Sequence, residues 1–412
     1  AFVDEMVKKF KDAWESLNII PSRFIRTTDK DHQKIVINFI KRCNENGDIY
    51  KGDYEGFYCV NCEGYKTEKD LINGECQFHP GKKIEKLHEE SYFFRLSKYK
   101  DFLLSLYKKH PEFILPESRR NEVINRVKDG LSDLSISRLN LKWGIQFPLD
   151  KNHVTYVWFD ALINYITGAG NHWPADLHIL GKDNTWFHCV YWPAMLKSAG
   201  YKLPHSIFNH GFLTFNGKKI SKSLGNSISP RVLVEKYGAD TIRYFCLRHF
   251  PFSSGDDGDF DEEALIERHN NELLNKLGNL VNRVATLTEK YSLQKTKNNL
   301  IKKINIVNIE KLISNYELDK ALNEIFAFID RCNEFIQEKK PWETHDTKVL
   351  YELVDSIKAI TILLWPFIPA TSEKISRQFC FKIEYKNINI PILIKKIKKG
   401  EVLFKKIERI EK

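Results

Sequence analysis

The 412-residue chain is 42% hydrophobic and 13% aromatic, with only 20 Gly and 14 Pro; this describes ordered globular folding over two to four domains and excludes a low-complexity polypeptide. No run of 18 apolar residues occurs, so no membrane-spanning helix is expected, and no secretory leader either. A formal charge of +10, from 64 Lys and Arg against 54 Asp and Glu, points toward an anionic partner, a nucleic acid or a membrane surface.

The chain starts at Ala1 rather than Met, and Phe2-Val3-Asp4-Glu5-Met6 reads at once as amphipathic helix; the expectation is a chain cut from something longer. Helical periodicity runs from Val7 to Leu17 and from Gln33 to Asn46, with Thr28 and Asp29 as caps for the second segment. An insertion-like region follows from Asp48 to about Asp133. Inside it, Cys59-Val60-Asn61-Cys62 and Cys76-Gln77-Phe78-His79 are two ligand pairs at the spacing of a tetrahedral zinc site. Three thiolates and an imidazole would close the coordination shell, which makes the expected metal structural rather than catalytic. The eight cysteines are otherwise scattered, which fits a reducing cytoplasm better than a disulfide framework. Tyr92 to Leu96 reads as an aromatic strand, and a helix ends near Gly130.

Val154-Thr155-Tyr156-Val157-Trp158-Phe159 and Asp176-Leu177-His178-Ile179-Leu180 read as buried strands, each running into a helix, the second through Gly181-Lys182-Asp183 and Trp186 to Ala199. This alternation predicts a parallel nucleotide-binding sheet. Next comes Phe215-Asn216-Gly217-Lys218, then Lys219-Ile220-Ser221-Lys222-Ser223. Two ammonium groups three residues apart on a glycine-flanked segment can both reach triphosphate oxygens, and the hydroxyls can donate to them. Past Glu262 long periodic segments, Glu262 to Lys290, Ile304 to Glu338 and Lys348 to Phe367, predict a helix bundle, with Pro341, Pro366 and Pro369 at their boundaries. No internal repeat is present, and the tail with Lys395, Lys396, Lys398 and Lys399 is basic.

Several of these segments are closer to one family than chance spacing allows. Lys219 to Ser223 resembles the KMSKS loop of class I aminoacyl-tRNA synthetases. Trp158-Phe159-Asp160-Ala161-Leu162-Ile163-Asn164-Tyr165, Gly181-Lys182-Asp183 through His188, and Tyr191-Trp192-Pro193-Ala194-Met195-Leu196 are similar to segments of the methionyl-tRNA synthetases, over nearly the whole chain. The resemblance implies an α/β fold: a partial Rossmann-type parallel sheet with a zinc-knuckle connective insertion, followed by an α-helical anticodon-binding bundle. The expected segments are 1–47 (end of the first Rossmann half), 48–133 (connective insertion), 134–204 (second half), 205–261 (stem-contact fold with the lysine-serine loop) and 262–412 (anticodon domain).

It also implies roles, position by position. Trp158, Ala161, Leu162, Tyr165 and His188 would wall a methionine pocket, where aromatic faces suit a polarizable thioether. Gly181 and Asp183 would bind the adenosine of ATP, Lys219 and Lys222 its phosphates, and Ser221, Ser223 and Arg138 would join the catalytic set. Asn279 and Arg283, four apart in Gly278-Asn279-Leu280-Val281-Asn282-Arg283, would read anticodon bases with Trp342 as a stacking surface. The implied reaction is ATP-dependent formation of methionyl-adenylate and transfer to tRNA, with Mg²⁺ accompanying ATP and Zn²⁺ at Cys59, Cys62, Cys76 and His79.

The chain departs from the family pattern in two places. It has no HIGH-type motif, and Asn184 stands where the family has an aliphatic residue. The first departure gives the expectation of a chain truncated ahead of that motif and needing a separate N-terminal half for catalysis. Two alternatives follow: a non-catalytic tRNA-binding fragment or split-enzyme subunit, and a sibling class I synthetase, against which the small size of the insertion argues.

Overall fold

Two helices open the chain, α1 (Phe2–Ser16) and α2 (Lys30–Glu45), and only the second has a fully buried stripe: His32, Val36, Phe39, Ile40 and Cys43, the spacing of one helical face. The computed structural model describes residues 2–59, 64–66, 71–76, 84–139, 141, 143–215, 217–220, 229–393 and 395–408. They form two units, one of Pro21–His210 and one of Ala1–Ile20 with Gly211–Lys412. Contacts thus assign α1 to the same unit as the last two hundred residues, away from α2, its neighbour in sequence.

In the Pro21–His210 unit, β1 (Ile49–Cys59) pairs antiparallel with β5 (Glu85–Phe94) over ten positions, from Ile49↔Phe94 to Tyr58↔Glu85. Short β2 (Gly64–Lys66) extends β1, and β3 (Leu71–Ile72) and β4 (Glu75–Cys76) form a hairpin of their own. Helix α3 (Lys100–Lys109), strand β6 (Ile114–Leu115) and helix α4 (Glu117–Asp129) follow, then β7 (Leu134–Ser135) on the free edge of β5 and the antiparallel pair β8 (Ser137–Leu139) and β9 (His153–Thr155). Two short helices, α5 (Val157–Ala161) and α6 (Asn164–Ala169), lead to β10 (Leu177–Gly181), α7 (Trp192–Ala199) and β11 (Ser206–His210). Strands β10, β11 and β6 make a parallel sheet in that order. This is the expected parallel sheet, but it takes strands from three of the expected segments, since β6 lies within 48–133 and β11 beyond 204.

The core of this unit is aromatic. Phe39 stacks on Tyr201 at 5.5 Å and on Trp192 at 6.2 Å, and meets the edge of Phe159 at 6.3 Å. The turn after α2 is fixed by Asp48, which is fully buried and accepts from Asn46, Lys98, Tyr99 and Ser198. Burial alone would raise its carboxyl pKa, but the four donors outweigh it and hold the group below the usual carboxylate range.

In the other unit, β12 (Leu213–Phe215) lies between antiparallel β13 (Lys218–Lys219) and a later parallel strand, β14 (Gly258–Asp259), with α8 (Pro230–Tyr237) and α9 (Ala239–His249) intervening. Position 211 requires glycine, because a Cβ there would lie 1.9 Å from the carbonyl oxygen of Asp256. Helix α10 (Glu262–Arg268) continues through a π-helical stretch, His269–Gly278, into α11 (Asn279–Lys290), so the expected helix from 262 to 290 is present with a widened middle. The segment expected as one helix from 304 to 338 is two, α12 (Ile306–Ser314) and α13 (Leu318–Lys339); Tyr316 at φ 62° breaks the right-handed run. After α14 (Pro341–Thr344) comes α15 (Thr347–Leu364), buried from Val349 to Leu364 except Glu352, and then α16 (Pro369–Gln378). A helix buried on every face belongs at the centre of a bundle, and α15 packs against α11, α13 and α16. Among the described residues, no helix is long and apolar enough to cross a membrane.

Candidate active site

Pro193 shapes the densest part of the site. It lacks an N–H, so no helical bond can form to the carbonyl of Cys189 four residues back, and the chain instead widens into a π-helical turn over Phe187–Tyr191, with the N–H of Trp192 bonded to the carbonyl of Phe187. The freed Cys189 carbonyl accepts from the buried Tyr107 hydroxyl at 2.6 Å. This turn directs His188 inward. Its Nδ1 lies 3.0 Å from the Asn184 carbonyl, which can only accept, so Nδ1 carries the hydrogen and Nε2 accepts from the Tyr165 hydroxyl at 2.7 Å. The imidazole is therefore neutral with both nitrogens satisfied, and burial lowers its pKa while raising that of Tyr165 to about 12.

Around this pair stand residues absent from the expected set. His178 on β10 lies 4.1 Å from the Tyr165 ring and accepts from Trp192 Nε1 at 3.3 Å; burial, with neighbouring His188 adding to it, lowers its pKa to about 4. Trp173 meets Trp192 edge-on at 5.8 Å. Phe187 stacks on Trp158 with ring centroids 3.9 Å apart and planes 11° from parallel. Two ring groups result: Trp158 with Phe187 and Tyr191, and Tyr165 with His178, His188, Trp173 and Trp192, the second holding the neutral Tyr–His hydrogen bond. Phe187 was detectable in the sequence as the aromatic beside His188; His178 was read only as a strand residue, because a buried neutral histidine leaves no local pattern.

The segment from Val154 to Phe159 was expected as one strand, but the strand ends at Thr155. Tyr156 is extended, at ψ 134°, and the chain turns into α5, so Trp158 and Ala161 sit on a short helix. Phe159, Asp160, Leu162 and Ile163 take the buried face, while Trp158, Ala161 and Tyr165 stay partly accessible. Leu162 is thus a core residue at 1% exposure. Behind this helix, His32 and Asp160 are both buried; His32 Nδ1 meets Thr167 Oγ1 at 3.0 Å, and its Nε2 faces Asp160 Oδ1 at 3.8 Å.

Gly181 closes β10, and a Cβ there would stand 2.9 Å from Asp183 Oδ1, so the glycine leaves room for that carboxylate two residues on. Asp183 itself is exposed. Arg138 is buried on β8, where it donates to Ser135 Oγ at 2.9 Å and to the Ser137 carbonyl at 2.7 Å and lies 4.1 Å from the Tyr156 ring centroid.

In the helical unit, Asn279 is exposed on α11 and Arg283 follows one turn later. Helix α13 stops at Lys340, in a left-handed conformation, before Pro341, which places Trp342 against Arg283: the guanidinium carbon is 5.4 Å from the ring centroid, and Arg283 also donates to Gln337 Oε1 at 3.1 Å. The three residues expected to act together are therefore neighbours in part, Arg283 with Trp342. Of the four expected zinc ligands, Cys59 ends β1 and Cys76 ends β4, both buried; Cys62 and His79 lie outside the described residues. Thiols are the donor type that a structural Zn²⁺ takes. Lys219 is described in its backbone only, on β13, and Ser221, Lys222 and Ser223 lie outside the described residues.

Comparison with known proteins identifies the family. The family described as tRNA synthetases class I (M) matches residues 1–80 and 66–285, and the anticodon-binding domain of tRNA ligase matches residues 298–410. The methionine-tRNA ligase of Caldanaerobacter subterraneus subsp. tengcongensis is 42% identical over 99% of this chain and 69% of its own length. That of Thermotoga maritima is 42% identical over 99% and 70%. The structure of Mycobacterium tuberculosis methionyl-tRNA synthetase in complex with methionyl-adenylate superposes with a TM-score of 0.88, at 36% identity over 96% of this chain and 85% of that one. With family matches on both units and relatives this close over nearly its whole length, the chain belongs to the class I methionyl-tRNA synthetases.

Proposed function

We propose that this chain is a methionine-tRNA ligase, acting in the cytoplasm, and that its methionine pocket is the aromatic cluster around Tyr165 and His188. The observation that carries the pocket is the neutral Tyr165–His188 hydrogen bond beside His178, Trp173 and Trp192, with Trp158 stacked on Phe187, the residue next to His188 in the chain. A thioether is apolar, polarizable and a weak acceptor, so rings supply its contacts and one hydroxyl or imidazole can test for sulfur. A charged histidine would demand a counter-ion; this one is held neutral. Trp158, Ala161, Leu162, Tyr165 and His188 are assigned to this pocket, Leu162 from within its supporting core.

The reaction runs in two displacements. An oxygen of the methionine carboxylate bonds to the α-phosphorus of ATP as the bond to pyrophosphate breaks, giving methionyl-adenylate; a terminal ribose hydroxyl of tRNA then attacks the acyl carbon, loses its proton, and AMP leaves. Positioning and charge stabilisation carry both steps. Gly181 and Asp183 would hold the adenosine, the carboxylate accepting from ribose hydroxyls. Lys219, Ser221, Lys222 and Ser223 would neutralise the departing pyrophosphate, with Mg²⁺ bound to the triphosphate. Arg138 is assigned to the same catalytic set, to pair with Asp183 or a reacting anion. Asn279, Arg283 and Trp342 are assigned to the anticodon of tRNA. Cys59, Cys62, Cys76 and His79 are assigned a structural Zn²⁺.

Methionine-dependent ATP–pyrophosphate exchange tests the reading. Lys222→Ala should slow exchange by about a hundredfold, the scale of one lost transition-state contact, while the methionine dissociation constant stays within about twofold. Equal losses in both would overturn the assigned role, and exchange with cysteine or isoleucine but not methionine would overturn the substrate.

A further inference from the structure

We infer that Glu90, Asp150 and His153 form a site for a divalent first-row transition cation, separate from the cysteine-rich knuckle, with Lys51 competing for the same two carboxylate oxygens. The site is built by strand geometry. Lys51 on β1 pairs with Tyr92 on β5, and side chains two apart on a strand share a face, so Lys51, Tyr92 and Glu90 all project from one side of the β1–β5 ladder. Against that side the turn before β9 brings Asp150, and β9 brings His153.

His153 is the unusual member. It is fully buried, its ring meets the Tyr92 ring edge-on at 5.3 Å, and its Nδ1 is held by Ser137 Oγ at 3.0 Å. Its Nε2 is buried with no hydrogen-bond partner among the described residues. That nitrogen points at Glu90 Oε1 and Asp150 Oδ2, 3.9 Å from each, and the three donor atoms lie within 4.8 Å of one another. Donors about 2.1 Å from a tetrahedral ion stand roughly 3.4 Å apart, so a small inward movement of two partly exposed carboxylates completes the set. The surroundings match what metal ligands need. Ser137 orients the imidazole from its far side, and the backbone N–H of Asn152 donates to Asp150 Oδ1 at 3.0 Å, so Oδ2 faces the site, held there only by a long 3.4 Å hydrogen bond from the Tyr92 hydroxyl and by Lys51.

The ammonium of Lys51 sits 2.7 Å from Glu90 Oε1 and 3.6 Å from Asp150 Oδ2, the same oxygens that face the imidazole. It offsets one of the two negative charges and leaves Nε2 without a partner, which a metal would supply. One imidazole with two carboxylates suits Mn²⁺, Fe²⁺ or Zn²⁺ rather than Ca²⁺, which takes six or more oxygens. Bound there, the ion would join the base of the long β1–β5 hairpin to the β8–β9 hairpin.

Mn²⁺ avoids thiolates, so electron paramagnetic resonance titration of the nucleotide-free protein with Mn²⁺ reports this site rather than the knuckle. The expected result is one bound Mn²⁺ with nitrogen coupling from His153, about tenfold tighter in Lys51→Met and lost in Glu90→Gln with Asp150→Asn. Lys51→Met removes a half-exposed ammonium and should keep the fold, so it and the wild-type protein decide the matter on their own. Absence of bound Mn²⁺ in both, or binding without nitrogen coupling that survives the double variant, would overturn the proposal. The outcome does not depend on the ligase reading, which aminoacylation activity tests separately.

Discussion

Tyr165 and His188 fix each other's protons: the Asn184 carbonyl forces hydrogen onto Nδ1, and the Tyr165 hydroxyl must then donate to Nε2. Tyr165→Phe keeps the ring among its neighbours and removes only that donor. A buried acceptor left without its partner costs about 1 to 3 kcal/mol, so the variant should melt lower. It should also raise the KM for methionine in pyrophosphate exchange by about tenfold, equivalent to about 1.4 kcal/mol, with kcat changed much less, because the contact serves binding. A loss confined to kcat would place Tyr165 in the chemistry instead. At this scale the sequence was informative where order along the chain mattered. Trp158, Tyr165 and His188 were recognisable through the family resemblance of their segments; in the structure Tyr165 bonds His188, and Trp158 stacks on Phe187. His178 and the His32–Asp160 pair were not, since each is defined by what it faces across the core and not by its neighbours in the chain.

Elements were legible when their period was long and misread when tertiary contacts overrode local preference. Val154 to Phe159 is rich in β-branched and aromatic residues, yet the strand stops at Thr155, because Phe159 and Asp160 are buried by turning the chain into α5. Helix α15 was legible in its apolar run but not in its one buried charge pair. Lys358 and Asp355, both under 7% side-chain exposure, are 2.8 Å apart; Asp355 also accepts from Ile392 N–H and Asn298, and Lys358 donates to the Ile390 carbonyl. Removing one partner of such a pair strands the other charge in the core. Lys358→Met should therefore cost about 3 kcal/mol or more and lower the urea midpoint measured by circular dichroism. Arg231→Met, which breaks the exposed pair with Glu235, should change the midpoint by less than about 0.5 kcal/mol equivalent. Equal effects of the two variants would mean that the buried pair is not structural.

At the scale of the whole molecule, the first helix defeats any reading that assigns neighbours in sequence to one domain. Helix α1 packs on α8, and Leu17 joins the cluster of Tyr237, Phe245 and Phe260, more than two hundred residues away. Charge, by contrast, is read directly from composition; the surplus of +10 points to an anionic partner, and with tRNA as that partner it gives a quantitative expectation. If the protein neutralises about four phosphates, affinity for tRNA should fall roughly fiftyfold between 50 and 200 mM salt, as counterions are released. Methionine KM should hardly move over the same range, because the aromatic cluster holds no net charge. Trp342 and Arg283 then separate the two kinds of contact. Trp342→Ala removes a stacking surface, about 1 to 3 kcal/mol, and should weaken tRNA binding by the same factor at every salt concentration. Arg283→Gln removes a cation; if the guanidinium meets a phosphate, the slope of log affinity against log salt should flatten by about one, and if it meets a base edge the slope should stay unchanged while discrimination against altered anticodons weakens. Parallel salt plots for Trp342→Ala and wild type are the expected outcome, and a changed slope for that variant would show that the indole orders phosphate contacts instead of receiving a base.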